Sequence, residues 1–191
     1  MKAADSISMV EMFSEIAVAI DENRSVLSGK NQAEWEHGAT MSAMFGAIET
    51  ALAGLEPSEW SPGRYFDFAA ETLLAMEGIE PRLYAAAFRR AGTTLLRRKR
   101  LGPEEFGLAF TAMASGIRDH AGNQPRDQVI ADVWEKAAAA YLDASKRDLP
   151  LADCLQAAAA AARGLASTTE HGRPFALSAS LIIRAMHDAL K

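Results

Sequence analysis

The segment most informative about the fold class begins Leu101-Gly102-Pro103-Glu104-Glu105 and continues as FGLAFTAMASGIR to Arg118. Proline is tolerated in the first turn of a helix because its missing N–H would have no partner within the helix there. The two glutamates place negative charge at the positive end of the helix dipole. Apolar residues then recur at helical spacing. The stretch therefore predicts a helix over 103–118.

The same signals extend over almost the whole chain. No segment shows the sustained alternation of β-branched residues that is typical of a half-buried strand. Pro62, Pro81 and Pro150 stand where each can open a helix. The predicted helices cover 5–22, 38–54, 62–77, 81–98, 103–118, 128–147, 150–167 and 174–190. Most connections are short, so neighbouring helices should pack antiparallel, and we expect an all-α bundle of eight helices.

Composition limits the classes of protein to consider. The 191 residues, 49% of them apolar, suffice for one domain with a single core over 1–191. The lone Cys154 lies in an alanine-rich stretch and is predicted to be a buried thiol. The net charge of −5 argues against general nucleic-acid binding. The run Arg97-Arg98-Lys99-Arg100 is interpreted as the positively charged end of a helix, with an anionic-partner patch as the alternative.

No apolar run approaches the roughly 20 residues of a membrane span, and the N-terminus lacks the pattern of a signal peptide. We therefore expect no membrane interaction and a cytoplasmic location. Trp35, Trp60 and Trp134 are predicted to be packing aromatics.

Chemistry is expected in the two longer connections. The first, near residues 21–37, places Glu34, Glu36 and His37 just before Gly38 and a helix start. Carboxylates two apart can converge on Mg²⁺, and exposed helix amides can receive phosphate oxygens. The alternative is that these acids only complement the helix dipole. In the second connection, Asp127 is predicted to cap the following helix.

The order of these motifs resembles the L-type, nucleotide-binding subunits of dihydroxyacetone kinases. Their signature, an aspartate followed by Gly-Asp-x-Asp-His-Gly-x-Asn/Thr-Met, corresponds here to Asn31, Ala33, Glu34, Trp35, Glu36, His37, Gly38, Ala39, Thr40 and Met41. Their Pro-Gly-Asp-Lys-Thr-Met-x-Asp-x-Trp motif corresponds to residues from Pro125 to Trp134, and Gly172-Arg173 resembles the start of a Gly-Arg-Ala-Ser motif. The resemblance covers nearly the whole chain by segment order.

The resemblance implies an antiparallel eight-helix barrel that holds ADP or ATP and magnesium ions in loops at one end. It implies metal ligation at Asn31, Glu34 and Glu36. Nucleotide contacts are implied at the remaining motif positions, which are His37, Gly38, Thr40, Met41, Gly78, Asp127 and Arg173. It also implies a partner, the K-type subunit that binds dihydroxyacetone and receives the phosphoryl group.

Several positions depart from the family pattern. Asparagine and glutamates stand where the family has three aspartates, which should weaken Mg²⁺ binding. The glycine-rich phosphate turn is reduced to Glu77-Gly78-Ile79-Glu80-Pro81, where Pro81 has no N–H and the glutamates add negative charge. The chain also runs from Gly172-Arg173 directly into its last helix, without the family's closing loop.

Three interpretations follow. In the first, the chain is a degenerate L-type homologue that keeps the scaffold and acts as a binding or regulatory partner. In the second, it is an active magnesium-dependent kinase subunit. In the third, it is an unrelated helical bundle that binds an apolar ligand or another copy of itself.

Overall fold

The computed structural model of the protein describes residues 6–29, 32–55 and 60–191. Within these ranges the chain forms eight long helices and one helix of four residues, and it forms no strand. The helices are α1 Ser6–Glu22, α2 Gln32–Trp35, α3 His37–Ala53, α4 Pro62–Leu74, α5 Ile79–Leu95, α6 Pro103–His120, α7 Pro125–Ser145, α8 Leu151–Thr168 and α9 Arg173–Leu190. The eight predicted helices are therefore confirmed, and α2 is an addition.

The eight long helices close into a ring. From α3 to α9 each long helix packs against the next, α1 packs against α3, and α9 returns to α1. A further contact joins α7 to α9 across one part of the ring. Since the connections are short, successive helices alternate in direction, which confirms the antiparallel barrel.

The helix boundaries follow the prolines with small shifts. Pro62, Pro103 and Pro125 are first residues of their helices, where the missing N–H costs nothing. Pro81 instead is the third residue of α5, and Pro150 precedes the first residue of α8. The C-terminus of α5 was predicted too late: the helix ends at Leu95, so the basic run 97–100 lies in the connection to α6.

Aromatic rings fill the middle of the barrel. The ring of Phe88 lies 5.5 Å from Phe13 and 6.0 Å from Phe66, between centroids, and Tyr84 extends the group towards Trp134. Cys154 is fully buried, as predicted, and burial raises the pKa of its thiol. No helix in the described ranges is long and apolar enough to cross a membrane.

Candidate functional site at one end of the barrel

The starts of four helices, α3, α5, α7 and α9, meet at one end of the barrel. His37, the first residue of α3, has its Nδ1 3.5 Å from Oε1 of Glu80, the second residue of α5. Its Nε2 lies 2.9 Å from Oγ of Ser178 in α9. Arg126, near the start of α7, acts electrostatically on Glu80. Because helix N-termini carry partial positive charge, this end of the barrel favours anions.

His37 is the centre of this group. Its side chain is fully buried, and its ring centroid lies 4.3 Å from that of Phe175. The Ser178 hydroxyl donates to the carbonyl oxygen of Phe175 at 2.9 Å, and its oxygen also lies 2.9 Å from His37 Nε2, which donates or accepts according to the tautomer of the imidazole. The order Ser178, His37, Glu80 resembles a hydrolase triad. Since Ser178 is fully buried, no substrate reaches its hydroxyl, and the arrangement serves to orient the imidazole.

Glu80 places a carboxylate inside the start of α5. Its contact with the His37 imidazole holds the pKa of Glu80 below the usual value, against the opposing effect of burial. The backbone N–H of Glu80 itself and the charge of Arg126 act in the same direction as His37. The ionised form of Glu80 is therefore favoured.

Gly78 lies just before α5 with a φ of 129°, a conformation that favours glycine. A Cβ at this position would lie 3.2 Å from Cδ of Pro81. Glu77 next to it is exposed. Because Glu80 contacts His37, the predicted residues Gly78 and Glu36 lie at the same end of the barrel.

Gly38, predicted to contact nucleotide, is explained by packing. A Cβ there would lie 2.1 Å from the carbonyl oxygen of Arg24 and 2.8 Å from Oγ of Ser28. The start of α3 thus rests directly on the turn that follows α1. The other two predicted positions in α3 differ in exposure, since Thr40 is half-buried and Met41 is fully buried in the core.

The predicted metal ligands do not form a complete site within the described residues. Asn31 lies outside those residues, and Glu34 is half-buried in α2. Glu36 is exposed at the residue before α3, where its backbone oxygen accepts from Thr40 N at 2.9 Å. No three His, Cys, Asp or Glu side chains in the described ranges lie close enough together to hold a metal ion. These residues alone therefore do not fit an octahedral Mg²⁺ ion.

Asp127 and Arg126 contribute the α7 side of the site. The prediction that Asp127 caps this helix is wrong, because α7 begins at Pro125 and Asp127 is its third residue. Asp127 is buried, and its Oδ1 lies 3.3 Å from Nε of Arg126. Asp132, one turn further on, instead pairs with Arg118 on the outer surface. Arg173, the remaining predicted contact, is exposed at the first residue of α9.

Sequence reasoning missed the inner part of the site. Within the described part of the chain, five buried polar atoms have no hydrogen-bond partner: His37 Nδ1, Tyr84 Oη, Arg126 Nε, Asp127 Oδ1 and Trp134 Nε1. Burial raises the pKa of Tyr84, whose hydroxyl faces Trp134 and Ser178. The only signal in the sequence for these inner residues was the spacing of Glu80 and Tyr84, which are four positions apart and therefore lie on one face of a helix. No sequence pattern pointed to Ser178.

Exposed apolar side chains lie on the rim of this end, and Trp35 and Ile79 are two of them. Trp35, which ends α2 immediately before Glu36, is 71% exposed, so the prediction that it packs in the interior is wrong. Ile79, next to Gly78, is 41% exposed. An exposed tryptophan is typical of a surface that contacts another molecule.

Comparison with known proteins identifies the family. A family model, described as the DAK2 domain, matches residues 36–184, while no curated protein matches the chain. The match begins at Glu36, so the predicted metal positions Asn31 and Glu34 precede it. It excludes the interpretation as an unrelated helical bundle and confirms the resemblance found in the sequence. The chain therefore belongs to the DAK2 domain family, whose domain is that of the L-type subunit of dihydroxyacetone kinases.

Proposed function

We propose that the protein is an L-type homologue that binds a K-type, substrate-binding subunit in a regulatory role and does not itself transfer a phosphoryl group. One observation carries this proposal: the carboxylate of Glu80 lies buried at the start of α5, held by His37 and its own backbone N–H. In the family, this region corresponds to the turn that receives phosphate.

Internal carboxylates take the place of a bound anion. Glu80 and Asp127 are both buried among the helix starts, with Arg126 beside them. They neutralise the partial positive charge that would otherwise attract a polyphosphate. A nucleotide would have to displace Glu80 or lie next to it, and two like charges 4 Å apart repel by about 4 kcal/mol at an effective dielectric constant of 20.

The same geometry supports the proposed loss of phosphoryl transfer. The reaction depends on metal-assisted positioning of phosphate and on stabilisation of its charge. The described residues supply no three-ligand metal site. A chain whose described residues form no metal site, and whose Glu80 carboxylate occupies the start of α5, can still keep the barrel, because the barrel is held by its apolar core.

The rim supports a role in binding another protein. Transfer between subunits requires the nucleotide end of an L-type barrel to face the substrate on the K-type subunit. At this end the side chains of Trp35 and Ile79 are exposed, whereas most large apolar side chains of the chain are buried in the core. Large exposed aromatic side chains contribute strongly to protein interfaces. The surface that faces the substrate in an active L-type subunit would thus be kept in this protein for binding the K-type subunit.

Calorimetric titration tests the proposed loss of nucleotide binding. We expect no saturable heat when Mg²⁺-ADP or Mg²⁺-ATP is added to the purified protein. The same titration of Glu34→Ala is the control. Saturable binding by the wild type that this substitution abolishes would refute the proposal and support an active magnesium-dependent kinase subunit.

Binding to the purified K-type subunit of the same organism tests the proposed partner. We expect Trp35→Ala to weaken the complex by roughly tenfold or more, as measured by biolayer interferometry. Leu96→Ala is the matched control, because Leu96 is 62% exposed at the opposite end of α5 and should leave the affinity unchanged. No complex at micromolar concentrations, or equal losses in both variants, would contradict the proposal.

A further inference from the structure

An outer groove runs between α8 and α9 on the outside of the barrel. Its volume is about 430 Å³, within the range of small-molecule sites. Small residues of α8, Ala159 and Ala160, form part of its floor, and Leu177 and Leu181 of α9 add apolar surface. The groove exists because the short alanine side chains do not fill the space that longer side chains would occupy.

The polar side chains along the groove include two guanidinium groups and one carboxylate. Arg163 of α8 is exposed and has no ion-pair partner in the described part of the chain. Arg184 of α9 contributes a second guanidinium group, with its Nε 3.4 Å from Asp188. The acid Asp188 is shared with Nδ1 of His187 at 3.1 Å and with Lys191 at 3.3 Å. The lining therefore carries an excess of one positive charge, two arginines against one aspartate, on a chain whose net charge is −5.

Ser180 adds a hydrogen-bonding group to the lining of the groove. The residue is 6% exposed, and its hydroxyl is not one of the buried atoms that lack a partner. Hydroxyl groups in helices usually donate to a carbonyl one turn earlier, as Thr168 does to Gly164 and Leu165 in α8. A serine hydroxyl that lines a groove can hydrogen-bond to a bound group.

We propose that this groove binds a small organic phosphomonoester. The guanidinium groups of Arg163 and Arg184 match a doubly charged phosphate, since arginine can bind phosphate through two parallel hydrogen bonds. The Ser180 hydroxyl and Nε2 of His187, which has no partner in the described chain, complete the set of polar contacts. The hydrocarbon part of the ligand lies on the floor of alanine and leucine.

This site is separate from the proposed docking rim. None of the groove residues contributes to the group around His37 and Glu80, and all of them lie on α8 and α9. Ligand binding in the groove therefore does not depend on the proposed K-type partner, and the two can be tested separately.

Titration with phenyl phosphate, followed by two-dimensional ¹H–¹⁵N NMR, tests the site. We expect saturable shifts confined to amides of the groove, including those of Ala160 and Ser180. Arg163→Gln should weaken the affinity by roughly tenfold or more, and Ser180→Ala by about threefold to tenfold. Arg97→Gln is the matched control, because Arg97 is also exposed and has no ion-pair partner in the described residues.

Two further probes separate the parts of the ligand. Inorganic phosphate supplies the anion without the apolar part, and benzyl alcohol supplies the ring without the anion. Both should bind more weakly than phenyl phosphate. The proposal is overturned if phenyl phosphate causes no saturable shifts in the groove, or if Arg163→Gln and Arg97→Gln weaken its binding equally.

Discussion

Replacement of Gly38 by alanine tests why this position is glycine. Either glycine is needed there for contact with a bound phosphate, or it is needed because the neighbouring turn leaves no room for a side chain. The added Cβ would lie 2.1 Å from the carbonyl oxygen of Arg24, whereas non-bonded atoms normally stay about 3.5 Å apart. The turn that contains Arg24 would have to move by more than about 1 Å. Hydrogen bonds from Val26 N and Leu27 N to Asn23 O, and full burial of Leu27, hold that turn in place.

The magnitude follows from two opposing effects. Overpacking of this kind costs about 1–3 kcal/mol. Alanine gains up to about 1 kcal/mol over glycine inside a helix, and less in the first turn where Gly38 lies. We therefore expect Gly38→Ala to lower the free energy of unfolding by about 1–2 kcal/mol, and the melting temperature by roughly 2–8 °C for a chain of this length.

Gly46 is the matched control on the same helix, because a Cβ there would meet nothing within 4 Å. Gly46→Ala should raise the melting temperature by roughly 1–4 °C. Thermal unfolding followed by circular dichroism at 222 nm measures both variants without added ligand. If Gly38→Ala melts at or above the wild-type temperature, the packing explanation is refuted.

Two further predictions concern the buried end of the barrel. Glu80→Gln should lower the free energy of unfolding at pH 7 by about 1–3 kcal/mol in urea titrations, because it removes the charged partner of His37. Since the pKa of Glu80 is lowered from 4.5 in the folded state, its ionised form stabilises the fold above that pH, and this contribution is lost as the pH falls through the folded pKa. The difference in the free energy of unfolding between Glu80→Gln and wild type should therefore become smaller below about pH 4.5. A difference that stays constant with pH would contradict this account. Tyr84→Phe should cost less than about 0.5 kcal/mol, because the hydroxyl is buried without a partner, whereas a loss above about 1.5 kcal/mol would show that this hydroxyl is hydrogen-bonded.

The helices could be predicted because the signals that form them are local. Apolar spacing along 103–118 and the proline at its start fix the helix without reference to the rest of the chain. The errors were at the boundaries, as at α7, where Pro125 rather than Gln128 opens the helix. The order of motifs was also sufficient to indicate the family that the DAK2 match identifies.

The site could be predicted only in part. The sequence pointed to His37, but its partners Glu80 and Ser178 come from helices distant in the chain, with Ser178 separated from it by 141 positions. Gly38 was interpreted through a motif, although its surroundings are those of a packing glycine. Trp35 was expected to pack inside and is exposed instead.

Local sequence patterns were sufficient to predict the helices, their order and the family, because each depends on nearby residues or on motif order. The packing of the helices was needed to show which side chains share one end of the barrel, that the Glu80 carboxylate lies within the start of α5, and that α8 and α9 leave a groove with two arginines between them. These features depend on the rotation of each helix about its axis when the ring closes. That rotation is set by the packing of all eight long helices together, and no single segment encodes it.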